Sequence, residues 1–135
     1  MIKVLYGKKG TGKSRRLIAM ANAANEERGE NSVFIDKDCD RMYELNRSIR
    51  FINSSDFDID GPKMFTGFVS GIASQDFDLE AIYINSLMKV VKHPLNELAG
   101  MFDYLHSFSE KNNVALYIAV SSEDEVPDFL KEYLI

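Results

Sequence analysis

Gly7-Lys8-Lys9-Gly10-Thr11-Gly12-Lys13-Ser14 is the stretch whose reading decides the fold. Its spacing is G-x-x-x-x-G-K-[ST]. Before it, Ile2-Lys3-Val4-Leu5-Tyr6 is short and β-favouring, which predicts a buried strand. After it, Leu17, Ile18, Met20, Ala21 and Ala24 recur at helical spacing between Arg15 and Arg28, and Gly29 is placed to cap that helix. Gly7, Gly10 and Gly12 lack a Cβ, so the loop can close tightly and take positive φ where needed. Its N–H groups would then converge as an anion nest. The helix starting near Lys13 adds unpaired N–H groups and a positive dipole end.

Working outward, strand and helix signals alternate. Ser32-Val33-Phe34-Ile35-Asp36 reads as a second strand tipped by an acid. Asp38 or Asp40 could cap a helix over residues 41–49, and residues 49–52 could form another short strand. Residues 53–63 carry a loop composition, after which Pro62 could open a helix through Phe65, Phe68, Val69 and Ile72. Leu79 to Asn85 reads as a third core strand. From Pro94, Leu95, Leu98, Met101, Phe102, Leu105 and Phe108 form an amphipathic stripe that predicts a long helix and core packing. Val114 to Val120 is nearly all apolar, as a strand covered on both faces should be, and Ser121-Ser122 closes it. Residues 128–135 read as a last short helix after Pro127. The alternation predicts a mainly parallel sheet of about four or five strands flanked by helices.

The eight residues and their flanks resemble the Walker A motif, or P-loop, of the P-loop NTPase superfamily. The resemblance implies a three-layer α/β P-loop domain spanning 1–135, and Ser121 at the tip of the last strand resembles the RecA-like (ASCE) branch, where a polar residue there senses the γ-phosphate. It implies ATP or another NTP, with Mg²⁺, held by Gly7, Lys8, Lys9, Gly10, Thr11, Gly12, Lys13, Ser14 and Arg15. Lys13 would reach the β- and γ-phosphates and act in catalysis, and the Ser14 hydroxyl would ligate Mg²⁺.

One departure bears on turnover. The superfamily's second motif is an apolar strand ending in Asp, matched here by Ala81-Ile82-Tyr83-Ile84-Asn85, with Asn in place of the acid and no Glu after it. An amide binds Mg²⁺ or its water more weakly than a carboxylate and cannot act as a base. Asp36, at the tip of another apolar strand, is the rival metal-linked or catalytic acid, with Asp38 close by; both could equally be loop-start and cap residues. The expected function is a Mg-ATP-binding protein that is a weak or partner-activated ATPase. The alternatives are a nucleotide-dependent interaction module with little turnover and a small nucleotide- or nucleoside-kinase-like protein. A protein partner or self-association is expected, because many such ATPases complete their sites with a neighbour's arginine.

Composition sets limits. A net charge of −5 argues against broad nucleic-acid binding, although Lys8, Lys9, Lys13, Arg15 and Arg16 form a dense basic cluster best read as facing phosphates or solvent. Cys39 is the only cysteine, so no internal disulfide can form, and a buried or half-buried position is expected for it. No apolar run approaches a membrane span, and the glycine loop interrupts any leader-like segment, which together predict a cytoplasmic protein. Asp56 to Gly61 matches half of a calcium loop, but the required Glu would fall on Gly67. His93 and His106 are isolated and suggest no metal centre.

Overall fold

The computed structural model describes all 135 residues. Five strands form one all-parallel sheet: β1 (Ile2–Gly7), β2 (Ser32–Asp36), β3 (Arg50–Asn53), β4 (Ala81–Ile84) and β5 (Ala115–Ser121). Their spatial order is β1-β5-β4-β2-β3. The four helices are α1 (Lys13–Arg28), α2 (Pro62–Gln75), α3 (Leu87–Val91) and α4 (Ala99–Asn112). The protein is therefore an α/β domain with helices on both faces of a parallel sheet, the arrangement the alternating signals predict.

The two layers differ in thickness. Leu17, Ile18 and Ala21 of α1 pack with Leu45 and Ile49 over one face, against Leu5, Phe34, Tyr83 and Ala119. The other face is larger: Phe65 and Val69 of α2, Val90 and Val91 of α3, and Phe102 and Leu105 of α4 cover Val4, Ile35, Ile82, Ile84 and Ile118. The alternation of Ile82 and Ile84 with Tyr83 along β4 sends neighbouring side chains to opposite layers. Side chains such as Phe65, Phe102 and Leu116 are fully buried, and each contributes about 1.5–3 kcal/mol through burial.

Local chemistry explains the boundaries. Gly29 ends α1 in the left-handed conformation (φ 61°) and returns its N–H to the Asn25 carbonyl, as its cap position predicts. Pro62 opens α2, where a missing N–H costs nothing. Asn113 closes α4 at φ 53°.

Three expectations are corrected, and a fourth, the short tail helix, is met as a 3-10 helix. No helix spans residues 41–49: only a 3-10 turn forms at Met42–Glu44. The Asp38 carboxylate accepts from the Asp40 N–H in a local turn, and Asn46 is tied to Asn22 and Asn25 of α1, so side chains take the bonds a helix would need. The segment after Pro94 starts with a 3-10 turn, Leu95–Glu97, and becomes α-helical only at Ala99. The tail forms a 3-10 helix, Asp128–Tyr133, after which Leu134 bridges Val4 and the Ile135 N–H donates to the Val4 carbonyl along the free edge of β1. Cys39 is exposed, because residues 37–41 form a loop beyond the strand tip. The short helix α3 had no strong signal, since five residues are too few for a periodicity. No helix of the protein is long and apolar enough to cross a membrane.

Candidate functional site

Parallel strands send all five carboxyl ends to one edge of the sheet, where ligands of open α/β folds bind. The loop from Gly7 leaves β1 at that edge. Gly10 (φ 81°) and Gly12 (φ 87°) both adopt the left-handed conformation, which side chains other than Gly enter only with strain. A Cβ on Gly7 would stand 3.2 Å from Thr11 Oγ1, a contact that needs the loop to give. The loop closes on itself: Thr11 Oγ1 donates to the Lys8 carbonyl at 2.7 Å, and the Lys13 ammonium donates to the same carbonyl at 2.6 Å. Gly12 occupies the N-cap of α1 and brings no side chain, so that helix end is left uncapped. The first N–H groups of a helix have no partner within it, and here the residues that carry them, Lys13, Ser14 and Arg15, line a cleft.

The cleft beside this loop encloses about 740 Å³. Its charged lining is cationic throughout: Lys9, Lys13 and Arg15 from the loop and α1, with Lys37, Arg41 and Lys89 from the segments after β2 and β4. Six of the chain's 16 Lys and Arg residues line it, and none of its 21 Asp and Glu residues does. In a protein of net charge −5, that segregation marks a place for an anion. Burial lowers the Lys13 pKa from its ordinary value, partly offset by the nearby Glu123 carboxylate.

The sequence candidates come together at this edge. Gly10 to Arg15, Asn85 and Ser121 all line the cleft. Ser121 pairs in register with Gly7, and the Ser122 N–H donates to the Gly7 carbonyl, which ties the tip of β5 to the start of the loop. Asp36 does not line the cleft. Two strands, β5 and β4, separate β2 from β1, and the Asp36 carboxylate meets the site only indirectly. Ser14 Oγ donates to Asn85 Oδ1 at 3.1 Å, and Asn85 Nδ2 donates to Asp36 Oδ2 at 2.9 Å. The other Asp36 oxygen accepts the Lys37 N–H at 2.7 Å. Asn85 and Asp36 are both fully buried, so the bond between them is shielded from water, while Ser14 is half-buried and faces the cleft.

That chain fixes a tautomer-like choice. Only the amide nitrogen can donate to the carboxylate, so the Asn85 carbonyl oxygen is turned to Ser14. As a magnesium site the arrangement fits one hydroxyl ligand, Ser14, with phosphate oxygens and waters supplying the rest, as Mg²⁺ commonly accepts. It does not form an all-protein cage, for no group of three or more His, Cys, Asp or Glu residues is placed to hold a metal.

Lys37, Arg41, Ser86, Met88 and Lys89 also line the cleft without a sequence signal having singled them out. Lys37 could have been found by the rule that strand tips face the ligand, since it follows Asp36. Lys89 required knowing that α3 begins just beyond β4. Ser86 holds a left-handed conformation (φ 55°) without being glycine, at a cost of about 1 kcal/mol, and turns the chain from β4 into α3 over the cleft. No protein-family model matches the chain, and no curated protein matches it.

Proposed function

We propose that the protein binds a nucleoside triphosphate, ATP by preference, with Mg²⁺, through the loop Gly7–Ser14, and that alone it hydrolyses the nucleotide slowly. The observation that carries this reading is the meeting of an uncapped helix end, two left-handed glycines and Lys13 at the mouth of an acid-free cleft. Phosphate oxygens would take the loop N–H groups and displace the Lys8 carbonyl as the partner of Lys13. Lys9 and Arg15 add charge beside the same loop, and Ser121, which lines the same cleft, would contact the terminal phosphate. Bound magnesium would neutralise charge on the β- and γ-oxygens.

Slow turnover follows from what the cleft lacks. Phosphoryl transfer to water needs a group that orients the nucleophile. Asn85 is engaged on both sides, its oxygen by Ser14 and its nitrogen by Asp36, and it has no basic atom. Asp36 is a positioning residue in this reading: it holds the Asn85 amide so that its oxygen sets the Ser14 hydroxyl.

The strand order supports the RecA-like assignment over the kinase-like one. β5, tipped by Ser121, lies between β1 and β4, so the strand ending in Asn85 is separated from the loop strand by one strand. Calorimetric titration with ATP, ADP and GTP, with and without Mg²⁺, followed by a phosphate-release assay, tests the whole reading. Magnesium-dependent ATP binding with release well below the 10 s⁻¹ order typical of enzymes is the expected result. Absence of binding to any of the three sinks the nucleotide assignment. Release at that typical rate by the isolated chain sinks the account of Asn85.

A further inference from the structure

We propose that the outer face of α2, with Phe57 beside it, docks a protein partner, and that the docking segment is an amphipathic helix with lysines or arginines flanking its apolar face. None of the residues of this surface lines the cleft. The inference goes beyond the nucleotide reading and does not rest on it.

The helix itself supplies the first argument. At 3.6 residues per turn, Met64, Gly67, Phe68, Gly71 and Gln75 fall on one side of α2, turned away from the buried Phe65 and Val69. That side carries no charge. The outward residues of α1 include Arg15, Glu26 and Glu27, and those of α4 include Asp103, Glu110 and Lys111. Such a polar face is what a helix turned to water normally shows. On α2, Met64 is instead 49 % exposed, and Gly67 and Gly71 open on empty space.

Phe57 extends this face past the helix. Its ring is 57 % exposed and lies against the half-buried Phe68, with centroids 5.5 Å apart. The turn that presents it is fixed on both sides. Before it, the Ser55 N–H donates to Asn53 Oδ1 at 3.0 Å; after it, Asp58 is left-handed at φ 51°. Met64 is tied to the same loop, its sulfur accepting the Asp60 N–H at 3.3 Å. Single exposed apolar side chains are ordinary, but a contiguous patch marks an interaction site. An aromatic ring set in such a patch is the usual anchor of one.

Charge and area decide the occupant. Asp56, Asp58 and Asp60 are exposed beside Phe57 and Met64, and no ion pair engages them. Lys63 is the one cation among them. Asp78 is exposed past the other end of the helix, where Asp76 is already paired with Arg50. An apolar strip with free acids at both ends complements an apolar strip flanked by bases. A second copy of this chain would set acids against acids. It would also find too little area: Phe57, Met64 and Phe68 together expose on the order of 200–300 Å², against roughly 800 Å² per partner in a stable dimer. An anionic membrane is repelled by the same carboxylates. The length suits a helix, since the 14 residues of α2 present about 21 Å, or about four turns of a partner.

The test uses two fluorescein-labelled synthetic helices of about 18 residues. Both carry leucines on one face; one is flanked by lysines and the other by glutamates. Anisotropy titration of the parent protein with the lysine-flanked helix should saturate, with a Kd on the order of 10 μM. The glutamate-flanked helix should bind about tenfold more weakly or worse. Asp58→Asn with Asp60→Asn should lower affinity for the lysine-flanked helix about fivefold and flatten its salt dependence. Gly67→Arg should lower it about tenfold or more by filling and charging the face. Nothing stands within 4 Å of a Cβ at that position and the helix gains by losing a glycine, so the unfolding midpoint of Gly67→Arg should equal or exceed the parent's. Lost binding in that variant is therefore not lost folding. No saturation below about 1 mM, equal affinity for the two helices, or undiminished affinity in Gly67→Arg overturns the proposal. So does a parent that self-associates in sedimentation, or that binds phosphatidylserine vesicles, where Gly67→Arg does not: the occupant is then a second copy or a membrane. No nucleotide enters the assay, so none of these results bears on the nucleotide reading.

Discussion

The two edges of the sheet treat charge in opposite ways. At the amino end of the strands, acids and their partners neutralise one another. Tyr83 donates to Glu30 at 2.7 Å, Glu30 pairs with Arg28, and the Asn31 N–H donates to Glu80. Arg50 pairs with Asp76 beside them. At the carboxyl end, six cations line one cleft and no acid does. One edge is a polar seam closed on itself, in which the buried Glu30 and Tyr83 bond each other and Ser32 Oγ alone is buried without a partner. The other turns six cations towards an open space, and of these only Lys37 and Arg41 have an acidic partner, Asp38 and Glu44. The difference teaches where to look for function: polar groups that close on themselves hold the fold, and those left open await a ligand.

The buried pair that underlies the open edge gives the largest expected effect. Asn85→Asp looks like a repair of the missing metal-linked acid. Here it would place a second carboxylate 2.9 Å from Asp36 within a buried site, and two carboxylates at that distance cannot both ionise without cost. The substitution should destabilise the protein by about 3 kcal/mol near neutral pH, read from denaturant unfolding. Adding Asp36→Asn to it restores one acid and one amide, now with the acid next to Ser14. The double variant should recover most of the lost stability and turn over ATP faster than the parent. If Asn85→Asp alone is as stable as the parent, the Asn85–Asp36 contact does not matter as argued.

Next in size is Lys13→Ala. It removes the one lysine that bends back over the loop, without touching a core contact. Binding of Mg-ATP should weaken by about 2 kcal/mol, roughly thirtyfold, with the unfolding midpoint nearly unchanged. Raising the pH acts on the same group. Burial lowers the Lys13 pKa, so its charge, and with it nucleotide affinity, should fade at a lower pH than for an ordinary lysine. A large loss of stability in Lys13→Ala would place this residue with the closed edge rather than the open one.

How far the sequence foretells all this depends on the range of the interaction. The loop at 7–14 and the strands at 2–6, 32–36 and 114–120 are legible because each is set by its own residues: glycines, a strand-length apolar run, a capping glycine. Residues 41–49 are not, because Asn46 bonds back to α1, some twenty residues away, and that decides against a helix. The same holds for the site. The glycine loop names itself, but Lys37, Arg41 and Lys89 become neighbours only through the strand order. The role of Asn85 also changes with topology. Sequence makes it a lost acid, and the register of β2 and β4 makes it a bridge between Ser14 and Asp36.

The smallest effect belongs to the closed edge. Tyr83→Phe deletes one hydroxyl from a ring that stacks on Tyr117 with centroids 4.8 Å apart, so packing is kept. The Glu30 oxygen that accepted the hydroxyl loses a partner, while its other oxygen keeps Arg28. The cost should be about 1–1.5 kcal/mol of stability, and Mg-ATP affinity should not move. Alkaline pH separates this seam from the rest. Burial pushes the Tyr83 pKa up, and the Glu30 hydrogen bond and charge push it further; burial and Glu30 raise Tyr117 as well, against a small opposing effect of Arg28. A tyrosine whose folded pKa is raised contributes stability that is complete below its unfolded pKa, about 10, and declines as the pH climbs beyond it. The parent should therefore lose stability steeply above about pH 10, and Tyr83→Phe less steeply, with the remaining slope due in part to Tyr117. Equal slopes in the two proteins, measured by urea unfolding from pH 8 to 11, would mean that the Tyr83 hydroxyl is not held neutral by this seam. A change in Mg-ATP affinity in Tyr83→Phe would mean that the two edges of the sheet are coupled, and the division between them would have to be given up.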